Sequence, residues 1–356
     1  MFCTINDYEI VPHCRPYLIA EISANHCGSF ERLAHLMELA MGCGADAVKL
    51  QCYDPEQISA DVVIADGPWA GRHAHELYRQ AHTPRDWFED AFALAKRYGF
   101  TLFASVFSED DADFIERFDP PCYKISSFDI VDTKLINHLA QFGKPIFIST
   151  GGATAAEIMR AAAAAGSCPH LFLHCISEYP CAIEKAHLSR IRSLQGFIRP
   201  PLIGLSDHSL GHDIAVAATA MGVVAIEKHF IGNRSDGGPD AAFSMEPDEY
   251  RALTSAVKAI HAATFAGPPE RANSTPFFRK SLYYARPLAA GHRLQETDVR
   301  TMRPSLGIHP ALLPMVVGRS LRRAVAPGSP VSLDDLSSES KSRAGGSPAP
   351  RPSAAT

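Results

Sequence analysis

Apolar, β-rich runs recur along the first 230 residues, each followed by a stretch with helical periodicity, which is the pattern of a parallel α/β sheet. Eight runs stand out: YLIAEIS (17–23), AVKLQCY (47–53), TLFASVF (101–107), CYKISSF (122–128), PIFIST (145–150), LFLHCIS (171–177), LIGLSD (202–207) and AIEKHF (225–230). Between them helices are expected over Ser29 to Cys43, opened by a serine cap, and over Pro84 to Tyr98, with proline near its start. A third is expected over Thr154 to Ala165, where Glu157 follows the capping threonine by three positions, and the last over Glu246 to Ala263. Eight strands alternating with eight helices predict a closed (β/α)8 TIM barrel. An open doubly wound sheet is the alternative, but no GxGxxG follows the first strand.

From Gly267 the pattern changes. GPPERANSTP is rich in proline and small polar residues and reads as a linker. Beyond it, SLYYARPL, VRTMRP and RSLRRAV are short β-like runs, with turns at Ala290-Gly291 and Pro327-Gly328, so a compact β-rich module is expected. The final stretch has almost no large apolar residue and cannot offset its own ordering entropy. The expected organisation is a barrel over 1–267, a linker over 268–280, a small β-rich domain over 281–336 and a disordered tail over 337–356.

Composition narrows the function. At 46% hydrophobic and 21% charged, the chain has material for a full core. Its 34 Lys and Arg against 39 Asp and Glu give a formal net charge of −5, so nothing draws it as a whole to nucleic acid or an anionic membrane. Any anion site must be local. The nine cysteines lack a CxxC pair, which points to reduced thiols in a cytoplasm rather than a disulfide framework or a cysteine zinc site. The N-terminus has no basic segment leading into an apolar core, and no run of 18 apolar residues occurs, so neither export nor a membrane span is expected.

In a barrel of this kind the active site lies at the C-terminal ends of the strands. There the chain places Glu21, Lys49 and Lys124, then Ser206-Asp207-His208 and Glu227-Lys228-His229. Alternation puts Lys49 with Gln51, Lys124 with Ser126, and Glu227 with His229 on shared faces. Charges aimed into a barrel mouth are costly unless a ligand or a partner meets them. His208 and His229 end adjacent strands and are positioned to converge on one divalent metal, with Glu21 and water to complete its shell. The alternative is two histidines hydrogen-bonded at a barrel rim. Lys49 and Lys124, with Ser105, Ser127, Ser149 and Ser206, suit a phosphate cradle, although any one serine can equally be a capped strand end. A strand lysine can also form a Schiff base with a carbonyl substrate, which borohydride trapping would reveal.

AEISANHCGS, GADAVKLQCY, ELYRQAHTP, YKISSFD, GKPIFISTGGAT, GLSDHSLG, GVVAIEKHF, PDAAFSMEPDEY and RSLRRAV together resemble the sialic acid synthase family, from about residue 17 to 336. The fold this implies is a (β/α)8 barrel followed by a small antifreeze-like (SAF, β-clip) domain. DGPWAGRHAHELYRQAHTP, the phenylalanine of YKISSF and RPSLGIHP look more like the family's pseudaminic acid branch than its N-acetylneuraminate branch. The implied activity joins phosphoenolpyruvate to a 2-acetamido or 2,4-diacetamido sugar aldehyde, releasing phosphate and giving a nine-carbon 2-keto acid. An N-acetylneuraminate or legionaminate synthase is the alternative within the family, and a noncatalytic sugar-binding protein is the alternative of another class. By resemblance, His208 and His229 hold Mn2+ or Mg2+, and Lys49, Lys124, Ser105, Ser127, Ser149 and Ser206 contact phosphoenolpyruvate. Glu21 and Asp129 handle protons, and Tyr179 and Asp240 contact the sugar. Arg303 in MRPSLG resembles the arginine that reaches the sugar's N-acetyl group across a domain-swapped homodimer. Four positions depart from the family pattern: Asp129 for Glu, Val106 for Pro, His174 for Lys and Glu178 for Thr.

Overall fold

A computed structural model describes residues 3–267 and 277–337 of the chain. The chain divides into two units, Met1–Gly267 and Pro268–Thr356. The linker expected at 268–280 and the tail expected at 337–356 lie outside the described residues, apart from 277–280 and Ser337.

The first unit opens with an antiparallel hairpin of β1 (Cys3–Ile5) and β2 (Tyr8–Ile10), turned at Asn6, whose φ is 49°. Eight parallel strands then close into a barrel: β3 (Tyr17–Glu21), β4 (Ala47–Cys52), β5 (Thr101–Val106), β6 (Tyr123–Ile125), β7 (Ile146–Ser149), β8 (His170–Cys175), β9 (Ile203–Asp207) and β10 (Ala225–His229). β10 pairs with β3 to complete the ring. The predicted runs at 122–128 and 171–177 end sooner as strands, the first because Ser126 onward turns into a 3-10 helix at Asp129–Val131.

Nine helices among the described residues surround the barrel: α1 (Phe30–Gly42), α2 (Ala74–Ala81), α3 (Trp87–Tyr98), α4 (Glu109–Glu116), α5 (Thr133–Gln141), α6 (Ala155–Ala165), α7 (Ser189–Phe197), α8 (Asp213–Ala220) and α9 (Pro247–Phe265). One more appears than predicted because the β4 to β5 connection holds both α2 and α3. Local chemistry sets the helix starts. The Ser29 hydroxyl accepts from the Arg32 N–H, and Thr154 and Glu157 form the predicted capping box.

Strand alternation divides the barrel into two cores. Outward residues such as Leu18, Val48, Leu50, Phe172 and Ile226 pack against the helices. Inward residues near the strand starts, among them Tyr17, Ile19, Phe103, Phe147, Leu171 and Leu173, fill the lower barrel. Phe103 stacks on Phe147 there, with ring centroids 5.7 Å apart. Cys3, Ile5 and Ile10 of the hairpin join this inner core, so the hairpin closes the N-terminal end of the barrel. Gly204 on β9 is required by crowding, since a Cβ there would stand 2.9 Å from the Ala225 carbonyl oxygen and collide with Leu173.

The second unit is built on β11 (Ser281–Tyr284) paired antiparallel with β12 (Val299–Met302). Leu282, Tyr284, Leu288, Leu294, Val331 and Leu336 form its core. RSLRRAV does not form the expected strand. Its residues make single bridges to three separate segments, Ser320 with Arg293, Leu321 with Leu336 and Val325 with Leu288, so no ladder can extend. Buried Asp298 receives Arg286 and His292 at 2.6 and 2.7 Å. Arg303 is exposed at the head of a loop whose Pro304 carbonyl accepts from the Ser281 and Tyr283 hydroxyls at 2.9 and 2.7 Å.

Candidate active site

Above the apolar layer the inward positions become polar. Each of the eight strands contributes at least one such residue: Glu21, Lys49, Ser105, Lys124, Ser149, Cys175, Ser206 and Glu227, and all of these are buried. They line one cavity of about 70 Å3 at the C-terminal end of the barrel, with Ser127, His208 and His229 around it. The six lysines and serines anticipated as an anion cradle are therefore brought together. Ladder register accounts for this, since Gln51 lies opposite Ser105, Ser105 opposite Lys124, and Ser206 opposite Glu227.

Two lysines meet two carboxylates in this ring. Lys49 Nζ stands 2.8 Å from Glu21 and 3.6 Å from Glu227, and donates to Ser105 Oγ at 2.9 Å. Lys124 Nζ donates to Glu227 at 3.2 Å, and the Ser206 hydroxyl donates to the same oxygen at 3.0 Å. Burial would raise Glu227, but Lys124 and Lys49 overcome it and bring its carboxyl down to about 2. For Glu21 burial prevails over the attraction of Lys49 and raises its pKa. Burial lowers Lys124 despite Glu227, whereas Lys49 is raised because Glu21 and Glu227 together outweigh its burial. The ammonium groups are thus held ready, with carboxylates standing where an anionic ligand would otherwise compensate them. The Ser149 hydroxyl is buried and has no hydrogen-bond partner among the described residues.

His208 and His229 lie side by side, with ring centroids 5.5 Å apart. The His208 Nδ1–H donates to the Ile176 carbonyl at 2.9 Å, which directs the Nε2 lone pair away from that contact. His229 Nδ1 is buried without a partner, and burial followed by the nearby His208 holds its pKa well below the usual histidine value. For His208 burial is overcome by the neighbouring Cys175, which raises its pKa, so the two imidazoles titrate apart; both still offer ring nitrogens toward a divalent metal. Glu21, expected in their shell, lies opposite His229 in the β3–β10 ladder. Its carboxylate is taken by Lys49 and by Gln51, which donates at 2.8 Å, and no group of three potential ligands occurs among the described residues.

A wider cavity of about 420 Å3 adjoins this one, and Gln51, Tyr179 and His229 line both. Asp129 and Asp240 reach it. Asp129 accepts from the Ser126 hydroxyl, and Asp240 from the Ser23 hydroxyl and the Ala24 N–H. Burial raises both carboxyls against those hydrogen bonds. Tyr179 forms the wall, with its ring 4.2 Å from His208, 5.5 Å from Trp69 and 5.1 Å from Phe243. A pocket with apolar walls and a few convergent polar groups suits a sugar bearing methyl or acetyl substituents. Of the four departures only Asp129 lines this cavity. Val106 and His174 face the helices, where His174 Nε2 meets the Ala186 carbonyl at 2.8 Å, and Glu178 is engaged by Lys185 at 2.9 Å.

Glu227, Cys175 and Gln51 escaped the choice of site residues. Period-two alternation already places Gln51 with Lys49 and Glu227 with His229, whereas Cys175 has no singled-out neighbour on its face of β8 and only the closed barrel brings it in. Trp69 and Phe243 lie in a loop and a 3-10 turn, where no periodic signal exists. Arg303 belongs to the second unit.

A barrel whose polar ring gathers lysines and serines beneath paired histidines defines a class of enzyme acting on a small anion, and the comparisons with known proteins agree. The chain belongs to the NeuB family, whose model matches residues 36–267, and a SAF domain matches residues 279–337. It is similar to a pseudaminic acid synthase of Campylobacter jejuni, 35% identical over 90% of this chain and 96% of that protein. A pseudaminic acid synthase of Helicobacter pylori is 34% identical, covering 90% and 98%. Among solved structures, the N-acetylneuraminic acid synthetase of Leptospira borgpetersenii superposes with a TM-score of 0.70 at 27% identity, covering 77% of this chain and 93% of that one.

Proposed function

We propose that the protein condenses phosphoenolpyruvate with a 2,4-diacetamido hexose aldehyde, giving a nine-carbon 2-keto sugar acid and phosphate, as pseudaminic acid synthases do. The observation that carries this reading is the eight-strand polar ring: two paired lysines and an unpartnered Ser149 hydroxyl, buried beneath two histidines and opening into an aromatic-walled cavity. It suits a compact trianion in the small cavity and a larger acceptor in the wide one.

In this reading Lys49 and Lys124, with Ser105, Ser127, Ser149 and Ser206, hold the phosphate and carboxylate of phosphoenolpyruvate. Tyr179 and Asp240 orient the acceptor. A divalent cation, Mn2+ or Mg2+, held by His208 and His229 would supply Lewis acidity toward the aldehyde oxygen. C3 of phosphoenolpyruvate bonds to the aldehyde carbon, and the aldehyde oxygen takes a proton. Water then adds at C2 and loses a proton, and the C2–O bond breaks with its electron pair leaving on phosphate, which takes the remaining proton as the new C2 hydroxyl becomes the keto carbonyl. Glu21 and Asp129, both raised by burial, exchange these protons, while the lysines stabilise charge on the phosphate throughout.

Arg303 is assigned to the acceptor's acetamido group from the partner subunit of a homodimer, on the strength of its exposed, braced loop and of the family motif. Nine free cysteines support a reducing, cytoplasmic setting, and no described helix is long and apolar enough to cross a membrane.

Phosphate release with Mn2+ and phosphoenolpyruvate, measured against a panel of acceptors, tests the proposal. Fastest turnover is expected with a 2,4-diacetamido-2,4,6-trideoxy hexose. Preference for N-acetylmannosamine would shift the assignment to the N-acetylneuraminate branch, and no release with any acceptor would leave a sugar-binding protein.

A further inference from the structure

Alternation along β9 and β10 that points Ser206, Glu227 and His229 into the barrel turns Asp207 and Lys228 outward. Neither reaches the anion cavity, yet both are buried, Lys228 at 1% exposure. The Lys228 ammonium spends its three N–H groups on one short segment. It donates to Asp207 Oδ2 at 2.9 Å, to the Ser209 carbonyl at 2.6 Å and to the Gly211 carbonyl at 2.8 Å. The other Asp207 oxygen accepts from the Ser209 N–H at 2.9 Å and its hydroxyl at 2.7 Å. His208 therefore lies between two anchored neighbours, and the anchor itself is the residue that precedes His229.

A buried ion pair is a poor device for stability alone, because apolar residues of similar size often serve as well. Its distinctive property is direction. Here each donor and acceptor is committed, and the commitments converge on the two backbones that carry the imidazoles.

We propose that Lys228 and Asp207 are positioning residues for His208 and His229, fixing from outside the barrel wall the arrangement in which the two imidazoles bind a divalent cation. This rests on the histidine-pair reading given above. Partners that orient metal-bound histidines typically change metal affinity 10- to 100-fold when removed.

The test is Mn2+ titration of metal-free full-length protein, followed by the electron paramagnetic resonance of free Mn2+. The double variant Lys228→Met/Asp207→Asn removes the charges together and keeps an acceptor for Ser209. It is expected to bind Mn2+ about 10- to 100-fold more weakly, with an unfolding midpoint near the wild-type value and metal-free phosphoenolpyruvate affinity within about twofold. Asp207→Asn alone, nearly isosteric, keeps the test open if the double variant does not fold, and its Mn2+ binding should weaken several-fold. Wild-type Mn2+ affinity in a folded variant overturns the proposal. If His208→Ala and His229→Ala also bind Mn2+ as the wild type does, the histidine-pair reading fails first and takes this one with it.

Discussion

Lys124 shows how a single residue ties chemistry to stability. Its ammonium is buried, and its attraction to Glu227 is part of what keeps that carboxylate ionised. Lys124→Met leaves Glu227 with the more distant Lys49 at 3.6 Å and removes a cation from the proposed phosphate site. The KM for phosphoenolpyruvate is expected to rise by about 100-fold, and stability to fall by about 3 kcal/mol. Phosphate-release kinetics and urea unfolding measure the two effects. His26 offers a separate test of burial. It is fully buried, with its ring 5.4 Å from Trp87, and burial, assisted by nearby His82, lowers its pKa from 6.5 to about 4. Between those values the unfolded chain binds a proton that the folded chain refuses. The stabilisation is therefore complete above pH 6.5 and is lost as pH falls toward 4. From pH 7 to 5 the wild type should lose about 2 kcal/mol more than His26→Gln, measured by urea unfolding at both values.

At the level of elements, the barrel works because its strands change character along their length. The lower inward residues are apolar and bear on the N-terminal hairpin, and the upper inward residues are polar and form the site. The hairpin is thus a structural plug at the end opposite the chemistry. Ile10→Ala should cost about 2–5 kcal/mol in urea unfolding, as large-to-small core changes do, while leaving the KM for phosphoenolpyruvate within about twofold. The hairpin is also an element the strand-counting pattern misses. Its three-residue strands are too short for a periodic signal, and only their burial against the barrel interior gives them a fixed place.

For the whole molecule, the net charge of −5 conceals a division. Residues 1–267 hold 21 Lys and Arg against 33 Asp and Glu, whereas residues 279–337 hold nine against four. The small unit is the basic one, and it carries Arg303. If that arginine serves the acceptor of a partner subunit, Arg303→Ala should raise the acceptor KM at least tenfold, leaving that of phosphoenolpyruvate within about twofold, since only the acceptor gains its charge-assisted contact. Mixing Arg303→Ala with His229→Ala protein should restore part of the activity, because one site in the hybrid dimer keeps both groups. Equal losses for both substrates, or no recovery on mixing, would remove Arg303 from this role.

Period-two alternation within eight apolar runs separated by helical stretches pointed to the barrel, the ends of its strands and the inward direction of Lys49, Lys124, Ser105 and His229. Those are local consequences of backbone geometry, and a parallel barrel converts them directly into a site. Which inward groups meet was decided by the closed ring and its register. Register set Glu21 between Lys49 and His229, where the lysine takes its carboxylate, joined Lys49 to Glu227 as well, and brought Cys175 and the orphaned Ser149 hydroxyl into the same cavity. The aromatic wall of Trp69, Tyr179 and Phe243 comes from three separate connections, and the Lys228 anchor from carbonyls in a loop. Such contacts depend on the distance between segments remote in the chain, a quantity that no local pattern of residues encodes.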